Sequence, residues 1–268
     1  MLTARCPKMT ASDLNKHLNS LFPDIKEDTV DRVIYGDPDR EIKAIAVAWM
    51  PYRATIQQAL DSGSNVLVTH EPTFYGHRDL ADRMAESPET LDKRAWLDQQ
   101  DITIIRCHDV WDAIPDIGIP YAWGEFLGLG QPSKSKRYYN VYDVEPQTAG
   151  EFASKLASRT VELGQKTVGF YGDPDRTITS VGLGTGCISQ SWEMREMGAD
   201  LAISVDDVVR AWIDGEMSQD SGYPLIVVNH CVSEEPGIVK LAEYIYQTFP
   251  DIPVTHIPQT CTYRSIEA

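Results

Sequence analysis

The hexapeptide YGDPDR occurs twice in this chain, at residues 35–40 and again at residues 171–176. Other stretches around the two copies also match, and they keep the same order along the chain. The matching pairs are TASDLNKHL (10–18) with TAGEFASKL (148–156), REIKAIAVAW (40–49) with RTITSVGLGT (176–185), GSNVLVTHEP (63–72) with GADLAISVDD (198–207), and ITIIRCHDVWD (102–112) with PLIVVNHCVSE (224–234). These collinear matches predict an internal duplication, with one half at residues 1–130 and a similar half at 131–268. The stretch GLGQPSKSKRYY (128–139) has the composition of a linker between them.

The spacing of apolar residues predicts an α/β fold in each half. Three segments follow the helical period, at residues 10–22, 52–63 and 88–100, and three apolar runs between or after them read as strands. The predicted strands are 42–50, 65–70 and 102–108. Short elements that alternate in this way are typical of mostly parallel sheets covered by helices.

Composition and charge bound the classes of function. The chain has 268 residues, of which 42% are hydrophobic, and its 40 acidic and 24 basic residues give a net charge of −16. Such an acidic surface disfavours nucleic-acid binding, which depends on cations that replace counterions. No apolar run approaches the roughly 18 residues that a membrane helix needs. The five cysteines are scattered without a CxxC pair, and the first residues lack an apolar signal core, so we expect a cytoplasmic protein.

Metal-competent side chains occur where the predicted strands 65–70 and 102–108 end, and where the matching apolar run PLIVVN of the second half ends. The first strand tip carries a histidine followed directly by a glutamate, and two others carry a histidine with a carboxylate four residues later. Residues four apart share one face of a helix, and imidazole with carboxylate is a typical ligand mixture for zinc, iron and manganese. The second half lacks the first motif, which favours one composite metal site in the cleft between the halves. The candidate ligands are His70, Glu71, His108, Asp112, His230 and Glu234.

Several neighbouring residues allow two interpretations. The loop GLGTG (182–186) either cradles a phosphate or makes a tight turn, and it lacks the spacing of a nucleotide-binding motif. Cys107 and Cys231 adjoin candidate ligands but alternate with them along the strand, which predicts buried thiols. Tyr75 and His77 follow the first motif on a loop and are candidates for substrate contact.

Together these motifs resemble those of the Nif-three-like dinuclear metal-centre family, whose members are also known as GTP cyclohydrolase I type 2 homologues. The family's His-His-Pro is matched by His70-Glu71-Pro72, and its His-x-x-x-Asp by the segment 108–112. Its Gly-His-x-x-Ser-Glu is matched by the segment 229–234, and GEFLGL (124–129) also fits. The resemblance runs over nearly the whole chain.

The resemblance implies two adjacent divalent ions (zinc, iron or manganese) and a ring-shaped homohexamer. The ligands carried over are His70, Asp112, His230 and Glu234, with His108 in or beside the set. The implied function is a metal-dependent hydrolase for a small nucleotide- or pterin-like substrate, with Glu234 and His108 as candidate catalytic residues. The alternative is a metal-binding or regulatory ring protein without catalysis.

Glu71 departs from the family pattern, which has a second histidine at this position. If Glu71 is a ligand, its carboxylate favours harder ions such as manganese, iron or magnesium over zinc. If the side chain turns away, the first motif supplies only His70. Asn229, where the family has glycine, also changes the backbone freedom before His230.

Overall fold

A computed structural model of the chain describes residues 8–25, 28–81 and 83–266. The chain forms two compact units, which we call unit 1 (Met1–Ile114 and Ile238–Pro258) and unit 2 (Pro115–Gly237 and Gln259–Ala268). The boundary between the two predicted halves, near residue 130, was inferred from the sequence repeat and stays a prediction. Among the described residues, no helix is both long enough and apolar enough to cross a bilayer.

Helices and strands alternate through most of the described chain. The α-helices are α1 (Ala11–Ser20), α2 (Arg53–Asp61), α3 (Pro88–Leu97), α4 (Asp109–Ala113), α5 (Ile119–Phe126), α6 (Ala149–Thr160), α7 (Ser191–Glu196), α8 (Glu216–Ser221) and α9 (His230–Thr248). The strands are β1 (Val33–Tyr35), β2 (Ile45–Ala48), β3 (Val66–Thr69), β4 (Thr103–Arg106), β5 (Lys134–Lys136), β6 (Tyr139–Thr148), β7 (Gly169–Tyr171), β8 (Thr177–Gly184), β9 (Leu201–Val205), β10 (Leu225–Val228) and β11 (Val254–His256). Short 3₁₀ turns cover Asp79–Ala81, Arg83–Glu86, Val161–Leu163 and Gly186–Ile188, and a π-helical turn covers Ala211–Gly215.

Unit 1 contains a five-stranded sheet in the order β1-β4-β3-β2-β11. Its strands are parallel except β1, which runs antiparallel to β4. Every residue of β2, β3 and β4 is buried, as expected for a parallel sheet covered on both faces. Leu67 and Ile104 of the sheet pack in one core cluster with Ile56 of α2 and Leu97 of α3. The predicted helices and strands of this region are confirmed, whereas the addition of β11 to the sheet was not predicted.

Unit 2 contains a six-stranded mixed sheet in the order β5-β6-β8-β9-β10-β7. The neighbours β8, β9 and β10 are parallel, while β5, β6 and β7 pair antiparallel. Its core joins Phe152 and Leu156 of α6 to Val181, Ile203 and Ile226 of three strands. The stretch predicted as a linker holds β5 and the start of β6. The predicted α/β class, with two sheets and helical cover, is therefore confirmed, but the sheet of unit 2 is mixed and not mostly parallel as predicted.

Both copies of the hexapeptide form the same turn. Gly36 and Gly172 each have a φ of +86°, in the left-handed region that favours glycine. The amide that opens α1 donates to the Arg40 carbonyl at 3.0 Å, and the amide that opens α6 donates to the Arg176 carbonyl at 2.9 Å. The repeated sequence thus makes a repeated local structure, in which the end of each loop holds the start of a helix.

Replacing Gly36 with alanine is expected to lower the free energy of unfolding by about 3–5 kcal/mol. A Cβ atom there would lie 2.6 Å from the Ile102 carbonyl oxygen and 2.8 Å from the Thr103 Cα atom, in addition to the left-handed strain. Gly63 is the matched control, because it has a φ of +83° with nothing within 4 Å. Gly63→Ala should cost only about 1–2 kcal/mol. Urea unfolding measures both, and equal losses would contradict the role of the close contact.

Candidate metal sites

The first candidate site lies where two neighbouring parallel strands of unit 1 end. His70 follows β3, and His108 follows β4 at the start of α4. His70, His108 and Asp112 each offer a ligand atom, and these atoms all lie within 4.8 Å of one another. The Nε2 atom of His70 lies 3.5 Å from Asp112 Oδ1, and His108 Nδ1 lies 3.6 Å from Asp112 Oδ2. The four-residue spacing seen in the sequence therefore places His108 and Asp112 together.

The orientation of His70 suits a metal ligand. Its side chain is fully buried, and Nδ1 lies 3.1 Å from the carbonyl oxygen of Cys107. A carbonyl oxygen only accepts hydrogen bonds, so Nδ1 carries the proton and Nε2 presents its lone pair on the side of Asp112. Metal-binding histidines usually have their second nitrogen fixed by an oxygen acceptor in this manner.

Asp31 holds the start of the His108–Asp112 segment. Its carboxylate accepts hydrogen bonds from the backbone amides of His108 (2.7 Å), Asp109 (3.0 Å) and Val110 (2.8 Å). Burial raises the pKa of Asp31, although the amides of Val110 and His108 oppose that shift. Asp31 thus acts as a cap for α4 and fixes the direction of its first turn. Asp31 was not predicted from the sequence, because no local pattern links it to a motif so far along the chain.

His108 is the least buried member of this site, with 17% of its side chain exposed. Its ring stacks on His70 with centroids 4.5 Å apart, and His77 approaches it edge-on at 5.5 Å. Burial by itself would lower the pKa of His108, but the carboxylates of Asp112 and Asp109 outweigh it and raise the pKa to about 9. Burial lowers the pKa of His77. His77, which was predicted to lie on a loop, therefore lies against His108, a candidate catalytic residue.

Glu71 is paired with a buried arginine. Arg106 is fully buried, and its Nη2 atom lies 3.6 Å from Glu71 Oε2. The same guanidinium lies 3.5 Å from Asp79 Oδ2, and its Nε donates to the His70 carbonyl oxygen at 2.9 Å. Arg106 thus offsets the negative charge of Glu71 within unit 1, and Glu71 is the residue that departs from the family pattern. Metal ligation by Glu71 stays a prediction.

The second candidate site lies in unit 2 at the ends of β8, β9 and β10. His230 is the first residue of α9, directly beyond β10, and only 8% of it is exposed. Its Nε2 lies 3.0 Å from Oε1 of the buried Glu234, and its Nδ1 lies 2.8 Å from Asp207 Oδ2. Burial lowers the pKa of His230, but Glu234 and Asp207 outweigh it and raise the pKa well above its ordinary value. A metal ion at Nε2 would replace the proton there.

Gly186 leaves room beside His230 and Glu234. A Cβ atom at this glycine would lie 2.4 Å from Glu234 Oε1 and 2.5 Å from His230 Nε2. Its φ of +36° also favours glycine, so the loop GLGTG ends in a tight turn against the two side chains. The imidazole nitrogen of His230 and the carboxylate oxygen of Glu234 therefore face a space that a Cβ atom would fill. This donor set fits a divalent metal ion.

Two residues near His230 were not predicted from the sequence. Asp207 fixes Nδ1, and Cys187 offers a sulfur that lies within 4.8 Å of ligand atoms of both Asp207 and His230. The preceding Asp206 accepts a hydrogen bond from the His230 amide at 3.0 Å and so holds the start of α9. Asp206 lies in the stretch that matches residues 63–72 of the first half, which could have pointed to this role, but its neighbours carried no recognisable spacing.

The other candidates occupy ordinary positions. Cys107 and Cys231 are buried thiols, as predicted. Burial raises the pKa of each of these two thiols, which makes them poor nucleophiles. Tyr75 is 52% exposed on its loop.

Replacing Asp207 with asparagine is expected to weaken metal binding at His230 by about 10–100-fold. The amide keeps the size of the side chain but loses the charge that holds the Nδ1 proton. Isothermal titration with Mn²⁺ measures the affinity, with circular dichroism to check folding. Asp220→Asn, an exposed substitution in the same unit, should leave the affinity unchanged. Equal affinities in the two variants would show that Asp207 does not support the site.

Comparison with known proteins gives a consistent result. The family model for Duf34/NIF3 (NGG1p interacting factor 3) matches residues 9–262. A Streptomyces coelicolor protein named GTP cyclohydrolase 1 type 2 homolog is 25% identical over 94% of this chain and 92% of its own length. A solved hypothetical protein of Staphylococcus aureus matches with a TM-score of 0.80 at 19% identity, covering 97% of this chain and all of the other. A Bacillus cereus protein related to NIF3 matches with a TM-score of 0.75 at 12% identity, covering 97% of this chain and all of that one. At these identities the structural matches show a shared fold.

Proposed function

Since this chain belongs to the Duf34/NIF3 family, we propose that it binds two divalent metal ions and uses them to hydrolyse a small nucleotide- or pterin-like substrate. One ion belongs to His70, His108 and Asp112 of unit 1, and the other to His230 and Glu234 of unit 2. Zinc, iron and manganese all suit these imidazole and carboxylate donors.

His70 and His230 share a ring orientation, and this is the observation that carries the proposal. In His70, Nδ1 is held by a backbone carbonyl and Nε2 lies 3.5 Å from Asp112 Oδ1. In His230, Nδ1 is held by Asp207 and Nε2 lies 3.0 Å from Glu234 Oε1. Each imidazole is therefore fixed on one side and faces a carboxylate oxygen on the other, as in the histidine–carboxylate pairs of metal sites.

The chemistry follows from the positions of the side chains. Bound divalent ions supply Lewis-acid activation of water and of the substrate. Asp112 presents one oxygen to His70 and the other to His108, so both of its oxygens are oriented by the site. Glu234 is a ligand or a general base beside His230. His108 is either a third ligand of its ion or, beside the ligand set, a partly exposed group that passes a proton to or from a substrate.

The substrate class is inferred from related proteins. The name of the Streptomyces relative supports a nucleotide-like substrate, and the sequence resemblance supports a pterin-like one. A ring-shaped homohexamer and a cytoplasmic location stay predictions from the sequence.

The test combines metal content with turnover. The protein is loaded with manganese, iron or zinc, dialysed and analysed by elemental mass spectrometry, with two ions per chain expected for the dinuclear centre that the sequence predicts. Each loaded form is then assayed against nucleoside triphosphates and reduced and oxidised pterins. Metal-dependent hydrolysis supports the proposal, and the absence of bound metal would overturn it. Two bound ions without turnover would favour the non-catalytic alternative.

A further inference from the structure

Cys187 lies at the edge of the His230 site. It is an exposed residue in the single turn Gly186–Ile188, which directly follows β8. Its sulfur, a carboxylate oxygen of Asp207 and a ring nitrogen of His230 all lie within 4.8 Å of one another. These three side chains come from the ends of three adjacent parallel strands, which is where open α/β sheets place ligands.

The backbone around Cys187 is held in place. The hydroxyl of Ser189 donates to the Gly186 carbonyl oxygen at 2.7 Å and accepts from the Val205 amide at 2.9 Å. The turn is therefore tied to the end of β9, next to the loop that carries Asp207. Gly186 borders the space between His230 and Glu234, and the sulfur of the next residue lies within 4.8 Å of a ring nitrogen of His230.

We propose that Cys187 is a further ligand of the ion held by His230 and Glu234, which makes this position selective for zinc. The inference rests on the proposed function, because it assumes that His230 binds a metal ion. Zinc lies about 2.3 Å from sulfur and about 2.0 Å from imidazole nitrogen, so tetrahedral geometry separates these atoms by about 3.5 Å. The sulfur lies within 4.8 Å of a ring nitrogen of His230, so rotation of the exposed side chain has to cover at most about 1.3 Å. Binding replaces the thiol proton with the metal ion and releases that proton.

Sulfur would give the two clusters different preferences. The unit 1 cluster offers only imidazole nitrogen and carboxylate oxygen, which suit manganese and iron as well as zinc. A thiolate is a soft ligand that favours zinc over manganese and magnesium. We therefore expect a mixed occupancy, with zinc at His230 and a harder ion at His70.

The experiment uses Co²⁺ as a spectroscopic probe of the full-length protein. A thiolate bound to cobalt gives an intense near-ultraviolet charge-transfer band that nitrogen and oxygen ligands do not give. The wild-type protein should show this band, and Cys187→Ser should lose it while cobalt stays bound. Cys261→Ser is the matched control, since Cys261 is a partly buried thiol of the same unit, and it should keep the band. In competition, Cys187→Ser should also lower the preference for Zn²⁺ over Mn²⁺ by about tenfold or more.

The outcomes separate the two proposals. Bound cobalt without a sulfur band in the wild type, or an unchanged band in Cys187→Ser, would overturn the sulfur ligand and leave the metal site intact. No bound cobalt in the wild type would overturn the metal site and this inference together. In Glu234→Gln, a weakened band at equal cobalt concentration would support a single ion shared by Glu234 and Cys187. A full band in that variant would assign the sulfur to a separate ion.

Discussion

Replacing Glu234 with glutamine is expected to lower the affinity of unit 2 for its divalent ion by about 100-fold or more. Glu234 is 1% exposed, and its Oε1 lies 3.0 Å from His230 Nε2. Glutamine has the same size but no charge, so it offers a neutral oxygen where the ion needs an anionic one. Metal-dependent hydrolysis should fall with the occupancy of the site. Titration with Mn²⁺ and Zn²⁺, followed by elemental analysis after dialysis, measures the loss.

The next residue in the helix provides the control. Glu235 is also buried, at 2% exposure, but its Oε1 accepts a hydrogen bond from the Gln259 amide at 3.0 Å. Glu235→Gln should therefore leave metal affinity unchanged within about twofold, while causing a similar change in charge. Wild-type affinity in Glu234→Gln, or an equal loss in Glu235→Gln, would remove Glu234 from the set of ligands.

Replacing Arg106 with methionine is expected to lower the free energy of unfolding by about 3–5 kcal/mol. Arg106 is fully buried between the carboxylates of Glu71 and Asp79. Methionine keeps most of the volume of the side chain but removes the guanidinium that lies beside both carboxylates. It also removes the donors to the carbonyl oxygens of His70 and His77. Chemical denaturation measures the change.

Two further variants separate the buried charge from other effects. Arg53→Met removes an exposed ion pair with Asp92 and should cost no more than about 1 kcal/mol. Adding Glu71→Gln to Arg106→Met should recover part of the stability, because one of the two buried negative charges beside the lost guanidinium is then gone. If Arg106→Met unfolds as the wild type does, the buried pairing is not a source of stability.

Local patterns in the sequence were sufficient for much of the fold. The runs that form β2, β3 and β4 are buried along their whole length, so continuous apolar segments identified them. Thr10 is of a residue type that favours the start of a helix, and its side chain does accept from the Asp13 amide at the start of α1. The pairing of β11 with β2 could not be found in this way, because β11 is only three residues long and comes from a distant part of the chain.

In the candidate sites too, local sequence patterns reveal some residues and miss others. His108 with Asp112 and His230 with Glu234 are four residues apart, so helical geometry joins them whatever the rest of the chain does. Three residues lie close to these pairs but come from other loops, so only the folded sheets bring them there. They are Cys187, Asp207 and Asp31. Sequence spacing therefore finds groups within one turn of helix and misses those that different strands deliver.

The twin turns at Gly36 and Gly172 serve as landmarks for locating the site in distant relatives. The same number of residues separates Arg40 from His70 and Arg176 from Asp206, and both endpoints directly follow a strand. Counting from the turn thus finds a strand tip that carries an imidazole in one unit and a carboxylate in the other. In a relative that keeps this turn, the same count locates the strand tip even where the histidine is exchanged, because the left-handed glycine serves the geometry of the turn and not the chemistry of the site.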